Sequence, residues 1–215
     1  MTEAAETARG DTGSGLAGSA DGRRRYFDPR LKRRVVQIFQ GDYYVTSCAD
    51  ELLQTVLGSC VAACVRDPIS KVGGMNHFLL PSAGGRDPGD IIGFDLRYGS
   101  FAMEQLINAV LKVTGRRDRL EIKVFGGANV VRGMTDVGHR NADFVETFLR
   151  NEGLSITGSH LRGNWPRKVQ FSPASGRVRM RELKEDVAKR VFDKEIRQRP
   201  RLDPVADSGT VELFD

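Results

Sequence analysis

The chain has 215 residues, 40% of them hydrophobic and 28% charged, the balance of an ordinary globular domain long enough to bury a core. No apolar run approaches the ~18 residues of a membrane-spanning helix and the N-terminus has no apolar signal core, so the cytoplasm is the expected compartment. The net charge of +5 is concentrated in residues 23–34, RRRYFDPRLKRR, with seven basic residues against one acid, so the remainder is near neutral and a nucleic-acid partner is not indicated.

Residues 1–22 are rich in Gly, Ala, Ser, Thr and acids, too apolar-poor to offset the entropy of ordering, and are expected to be a disordered arm. With the basic stretch the arm runs over 1–34. That stretch reads as a solvated run at the domain edge, or as a peripheral contact for an acidic or anionic-lipid surface. Folding is expected to begin near Val35, with strands Val35–Phe39 and Tyr43–Val45 around a Gly41-Asp42 turn. A further strand over Leu52–Leu57 carries Thr55.

Two short apolar runs, Cys60–Val65 and Val72–Leu80, then flank Asp67-Pro68 and Ser70-Lys71 and predict a β-hairpin. If Asp67 faces Ser70, opposed positions add to 137, which sets Cys60 against His77, Ala62 against Met75 and Cys64 against Gly73. Opposed side chains share a face, close enough for a thiol to meet an imidazole, whereas a slip of one residue would separate them. The residues alone leave open whether Cys60 is a nucleophile or a small core side chain, and His77 a base or a core histidine bonded to a carbonyl. Cys64 reads as core. Three cysteines without framework or metal-ligand spacing argue for reduced thiols, no disulfide and no zinc site.

Ser82–Asp95, with its glycines and Pro88, reads as a loop bordering a cleft. A helix is expected over Gly99–Thr114, capped by Ser100 and ended by Gly115, with Met103, Leu106, Ile107 and Val110 on one stripe. Leu120–Phe125 reads as a strand running into Gly126-Gly127, where the backbone turns or approaches something closely. Neither a G-x-G-x-x-G nor a Walker motif is present, so a nucleotide cofactor has no support. A second helix is expected over Arg140–Asn151, with Asn141 as its cap and Gly153 at its end. Strands follow over Leu154–Leu161, Lys168–Phe171 and Arg177–Leu183, the last two joined by a Pro173–Gly176 turn. His139 and His160 receive no role, and Trp165 is either core or an exposed contact. Beyond Leu183, residues 183–215 are a charged extension: a solvated helix at most over Lys184–Arg199, with Val187, Val191, Phe192 and Ile196 as a stripe, then a tail from Pro200. Its end, Val211–Asp215, is extended or a docking peptide. The fold class is a single-domain α/β sandwich, a mixed or largely antiparallel sheet covered by two main helices, over residues 35–182.

The strings GSCVAACVRDP (58–68) and VGGMNHFLLP (72–81) closely resemble the CheD family, the chemoreceptor glutamine deamidases of bacterial chemotaxis. Arg97-Tyr98-Gly99 with Ala102-Met103, Lys123–Ala128, Gly138 with Arg140-Asn141, and Ser175–Val178 agree in order, while the loop Arg162–Arg167 departs from the family's glycine-rich version. The resemblance implies a catalytic Cys60 and His77 that convert glutamines of methyl-accepting receptors to glutamate without metal or cofactor. It also implies Thr55 as the third member of the set, with receptors as substrate and a CheC-type phosphatase as a further partner. Two other readings stay open: a non-catalytic adaptor that docks to receptors or to such a phosphatase, and a thiol hydrolase or transglutaminase-like enzyme with another target.

Overall fold

Strand alternation sorts the side chains of this chain onto three layers. A computed structural model describes residues 24–80, 88–130 and 137–184, with backbone alone over 88–96. Among the described residues are β1 (Arg25–Asp28), β2 (Arg33–Gln37), β3 (Tyr43–Thr46), β4 (Glu51–Leu57), β5 (Val61–Asp67) and β6 (Val72–Asn76). Helix α1 (Pro88–Thr114), β7 (Glu121–Gly126), α2 (Val137–Asn151), β8 (Ile156–Leu161), β9 (Arg167–Ser172) and β10 (Arg177–Glu182) follow. No described helix is long and apolar enough to cross a membrane.

The strands form two five-stranded sheets, in the orders β1-β2-β4-β9-β10 and β3-β6-β5-β7-β8. Each is mixed: β2 runs parallel to β4 and β7 parallel to β8, while the other neighbours are antiparallel. The α/β sandwich with two covering helices is therefore the fold, with its strands divided into two sheets. One face of the β5–β6 pair supplies Val61, Ala63, Val65, Val72 and Phe78 to a core with Met103, Leu106 and Val110 of α1 and Val145 and Leu149 of α2. The opposite face supplies Cys60, Ala62, Cys64, Met75 and Leu79 to a second core, shared with Val36, Leu53, Leu57, Val169 and Phe171 of the other sheet. β6 can lie centrally because Gly73 and Gly74 have no side chains: a Cβ on Gly74 would sit 2.4 Å from the Tyr44 carbonyl oxygen.

Several elements depart from the sequence expectations. The basic stretch contains a strand, as β1 pairs with β2 through Arg25↔Val36 to Asp28↔Arg33, and the expected arm over 1–22 lies outside the described residues. The runs on either side of Gly41-Asp42 are strands, but β2 and β3 lie in different sheets, so the turn is a corner between layers. Helix α1 starts at Pro88, and residues 88–95 are helical where a loop was expected; Pro tolerates the first helical turn because its missing N–H has no partner to lose there. Ser100 is thus internal to α1, and the rest of the expected loop lies outside the described residues. The helix ends as expected at Gly115, whose φ is +64° and whose N–H bonds Leu111 O at 2.7 Å. Helix α2 starts three residues early, at Val137, and ends before a left-handed Gly153. Trp165 is half-buried, in a loop gathered around the buried Arg167, whose guanidinium donates to the carbonyls of His160 and Arg162.

Candidate active site

Two crossings between the sheets build the site. The chain passes from β2 to β3 at Phe39–Asp42 and from β4 to β5 at Gly58–Cys60, and these crossings meet beside the end of β6. Asp67 sets where β6 begins. Its Oδ1 accepts the N–H groups of Ile69 (2.8 Å) and Ser70 (3.4 Å), and Lys71 takes φ +59°, so the loop is Pro68–Lys71 and Asp67 faces Val72.

The hairpin register therefore differs by two residues from the expected one. Cys64 pairs with Met75, Asp67 with Val72 and Val61 with Phe78, so opposed positions add to 139. A shift of two keeps every side chain on its face. Cys60 and His77 become diagonal neighbours on adjacent strands instead of directly opposed ones, both on the surface that looks toward the second sheet. Cys60 is 1% exposed and His77 7%.

From that second sheet, Thr55 of β4 reaches across. Its Oγ1 lies 2.8 Å from His77 Nδ1 and 2.9 Å from the carbonyl oxygen of Ile38. A carbonyl can only accept, so the single hydroxyl proton of Thr55 goes to Ile38, and the hydroxyl oxygen must accept the Nδ1–H of His77. That assignment fixes the neutral ring's tautomer, with its lone pair on Nε2. The imidazole's backbone is held as firmly: His77 N–H donates to Asp42 O (3.0 Å), and His77 O accepts Gly41 N–H (2.7 Å).

The segment before β5 is fixed through three successive carbonyls. Gly58 O accepts Ala128 N–H (2.8 Å), Ser59 O accepts Asn141 Nδ2 (3.0 Å) and Cys60 O accepts Gly127 N–H (2.8 Å). In a trans peptide C=O and N–H point oppositely, so the first two bonds aim the N–H of Ser59 away from Ala128 and the N–H of Cys60 away from Asn141 of α2. The close approach that the Gly126-Gly127 pair suggested is real. A Cβ on Gly126, at φ +119°, would lie 2.1 Å from Cys60 O.

Asn141 does more than end a helix. It is fully buried inside α2 rather than at its cap, and its Oδ1 accepts the N–H of Leu80 (2.8 Å) while Nδ2 donates to Ser59 O and to Val137 O (2.8 Å). One side chain thus ties the cysteine segment to the strand extension that follows His77. The sequence signal for it was present in the Arg140-Asn141 match, where capping explained it sufficiently.

Gln40 lies against the sulfur and was not assigned from sequence. Cys60 Sγ donates to Gln40 Oε1 at 3.6 Å, from the β2–β3 corner. Tyr98 of α1 is half-buried, and burial first, then electrostatic interaction with Cys60, pushes its hydroxyl above its ordinary pKa. Cys64, by contrast, is packed among apolar groups and its thiol is pushed strongly up by burial, which fits the core role expected for it. A separate groove of about 460 Å³ lies between α1 and α2, floored by Leu80, Phe144 and Phe148. Among the described residues no cluster of His, Cys, Asp and Glu is placed to hold a metal ion.

The arrangement brings together parts that acyl transfer uses: a buried cysteine, an imidazole held at Nδ1, and a hydroxyl that orients the imidazole. The family model for CheD, described as chemotactic sensory transduction, matches residues 79–182. The chain is 51% identical over 196 residues to "Probable chemoreceptor glutamine deamidase CheD" of Rhodopseudomonas palustris, covering 90% of this chain and 91% of that protein. It is 45% identical over 190 residues to the protein of that name from Hahella chejuensis, covering 88% and 90%. With the same-named protein of Caulobacter vibrioides it shares 51% identity over 180 residues, 83% of this chain and 92% of the other.

Proposed function

The chain belongs to the CheD family, and from that premise we propose that it is a protein-glutamine deamidase converting particular glutamine side chains of methyl-accepting chemotaxis receptors to glutamate, with Cys60 as nucleophile and His77 as base. The observation that carries this reading is the hydrogen bond from His77 Nδ1–H to Thr55 Oγ1, which leaves the Nε2 lone pair as the proton acceptor on the face shared with Cys60.

In the first half-reaction the Cys60 proton passes to Nε2 as the sulfur attacks the glutamine Cδ, giving a tetrahedral oxyanion. The N–H groups of Ser59 and Cys60, aimed away from Ala128 and Asn141 by the carbonyl bonds behind them, are the donors for that oxygen. Collapse returns the proton from Nε2 to the leaving nitrogen, and ammonia departs from a Cys60 thioester. In the second half-reaction water gives a proton to Nε2 and attacks the thioester carbon; collapse releases glutamate, and the sulfur recovers its proton. Thr55 is a positioning residue throughout, since the imidazolium formed in each half needs an acceptor at Nδ1. No step calls on a metal or organic cofactor.

A CheC-type phosphatase is proposed as a second partner, as the family implies, and the cytoplasm as the site of action. The test is incubation of the protein with receptor cytoplasmic fragments, followed by ammonia release and peptide mass mapping. Conversion of discrete glutamines by the parent, with Cys60→Ala and His77→Ala inactive but folded, is the expected result. A Cys60→Ala variant that deamidates as fast as the parent would overturn the mechanism.

A further inference from the structure

The resting site already contains a glutamine side chain. Cys60 Sγ, 1% exposed, donates its hydrogen bond to the side-chain carbonyl of Gln40 at 3.6 Å. Gln40 stands at the corner between β2 and β3, and the backbone on either side of it is pinned. Ile38 N–H bonds Gln54 O (2.8 Å), Gly41 N–H bonds His77 O (2.7 Å), and Asp42 N–H bonds Phe39 O (3.0 Å). The corner nevertheless borders open space, for a Cβ on Gly41 would meet nothing within 4 Å. The backbone of Gln40 is thus fixed while its half-buried side chain, with its several rotatable bonds, lies between solvent and the thiol.

A thiol that is to attack a glutamine carboxamide must have that group against its sulfur, where the carboxamide of Gln40 now sits. Two carboxamides do not fit on one sulfur atom. We propose that Gln40 is an internal stand-in for the substrate: its carboxamide holds the substrate carboxamide's place on Cys60 in the resting enzyme and must swing out before a receptor glutamine can enter. This rests on the deamidase reading and deepens it, since the group Gln40 mimics is the one the enzyme would cleave. The sulfur meets Gln40 at the carboxamide oxygen, at 3.6 Å, whereas attack requires the sulfur above the carboxamide carbon.

The experiment compares the parent with Gln40→Ala and Gln40→Met, the second retaining length and packing without the amide. Iodoacetamide alkylation of Cys60, followed by peptide mass mapping, reports access to the sulfur independently of catalysis. Steady-state ammonia release from a receptor fragment reports KM and kcat. Both variants are expected to alkylate about five- to tenfold faster than the parent, and KM to fall by a similar factor with the effect on KM rather than kcat, the size of one hydrogen bond of exchange. Unchanged alkylation and KM in both variants, a fall in kcat, or acceleration in Gln40→Ala but not in Gln40→Met would overturn the proposal. A parent inactive on every receptor fragment would instead count against the deamidase reading, with the alkylation rates still deciding whether Gln40 covers the thiol.

Discussion

Replacing Thr55 by Val removes one oxygen and keeps the shape, which isolates what that oxygen does. The hydroxyl is fully buried and makes two bonds, donating to Ile38 O at 2.9 Å and accepting from His77 Nδ1 at 2.8 Å. At roughly 1 kcal/mol net for each buried hydrogen bond, the loss in folding stability is about 2 kcal/mol, readable as a lowered urea midpoint with an unchanged slope. The catalytic loss has a separate origin. With a methyl facing Nδ1, the neutral ring gains nothing from carrying its proton there, and the tautomer protonated at Nε2 becomes populated, with no lone pair for the thiol proton. The imidazolium of each half-reaction also loses its acceptor. Together these should lower kcat by about ten- to a hundredfold, or about 1.4 to 2.7 kcal/mol in the barrier. Thr55→Ser keeps the oxygen and should keep kcat within about threefold, since the tautomer is preserved. Ammonia release from a receptor fragment is the assay. A Thr55→Val protein with parental kcat, or a Thr55→Ser protein as slow as Thr55→Val, would refute the reasoning.

Two further predictions follow from the surroundings of the site. Asn141→Asp replaces the Nδ2 donor to Ser59 O and Val137 O with a second acceptor facing two carbonyls, so it should cost about 2 to 4 kcal/mol in urea unfolding; a stability within about 0.5 kcal/mol of the parent would contradict the clamp. For the thiols, burial holds Cys64 protonated well above the ordinary range while Cys48 is half-exposed. Native protein treated with iodoacetamide near pH 9, at about the ordinary thiol pKa, should therefore be labelled at Cys48 and not at Cys64, and comparable labelling of both would contradict the packing.

The elements themselves were legible wherever apolar period and punctuation agreed. The ends of both helices at Gly115 and Gly153, strand β4, and the four strands after α1 stand where periodicity and turn residues put them. Where punctuation misled, it did so through residues with two uses: Pro88 breaks a helix interior but opens a helix, and Asn141 caps helices but here lies within one as a three-bond clamp. The hairpin register was missed by two because Asp67 bonds two amides and spreads the loop to four residues. The even size of the error left Cys60 and His77 on one face.

What the sequence by itself determined was local: the types and order of the elements, and the face each strand residue takes, because side-chain direction in a strand alternates whatever the strand pairs with. What only the tertiary structure decided was which strands share a sheet. β2 and β3, adjacent in the chain, lie in different layers, and that division is what carries Thr55 across to Nδ1 of His77 and Gln40 onto the sulfur of Cys60. Sheet partners are chosen by burial summed over the whole molecule, a quantity that no short window of residues contains.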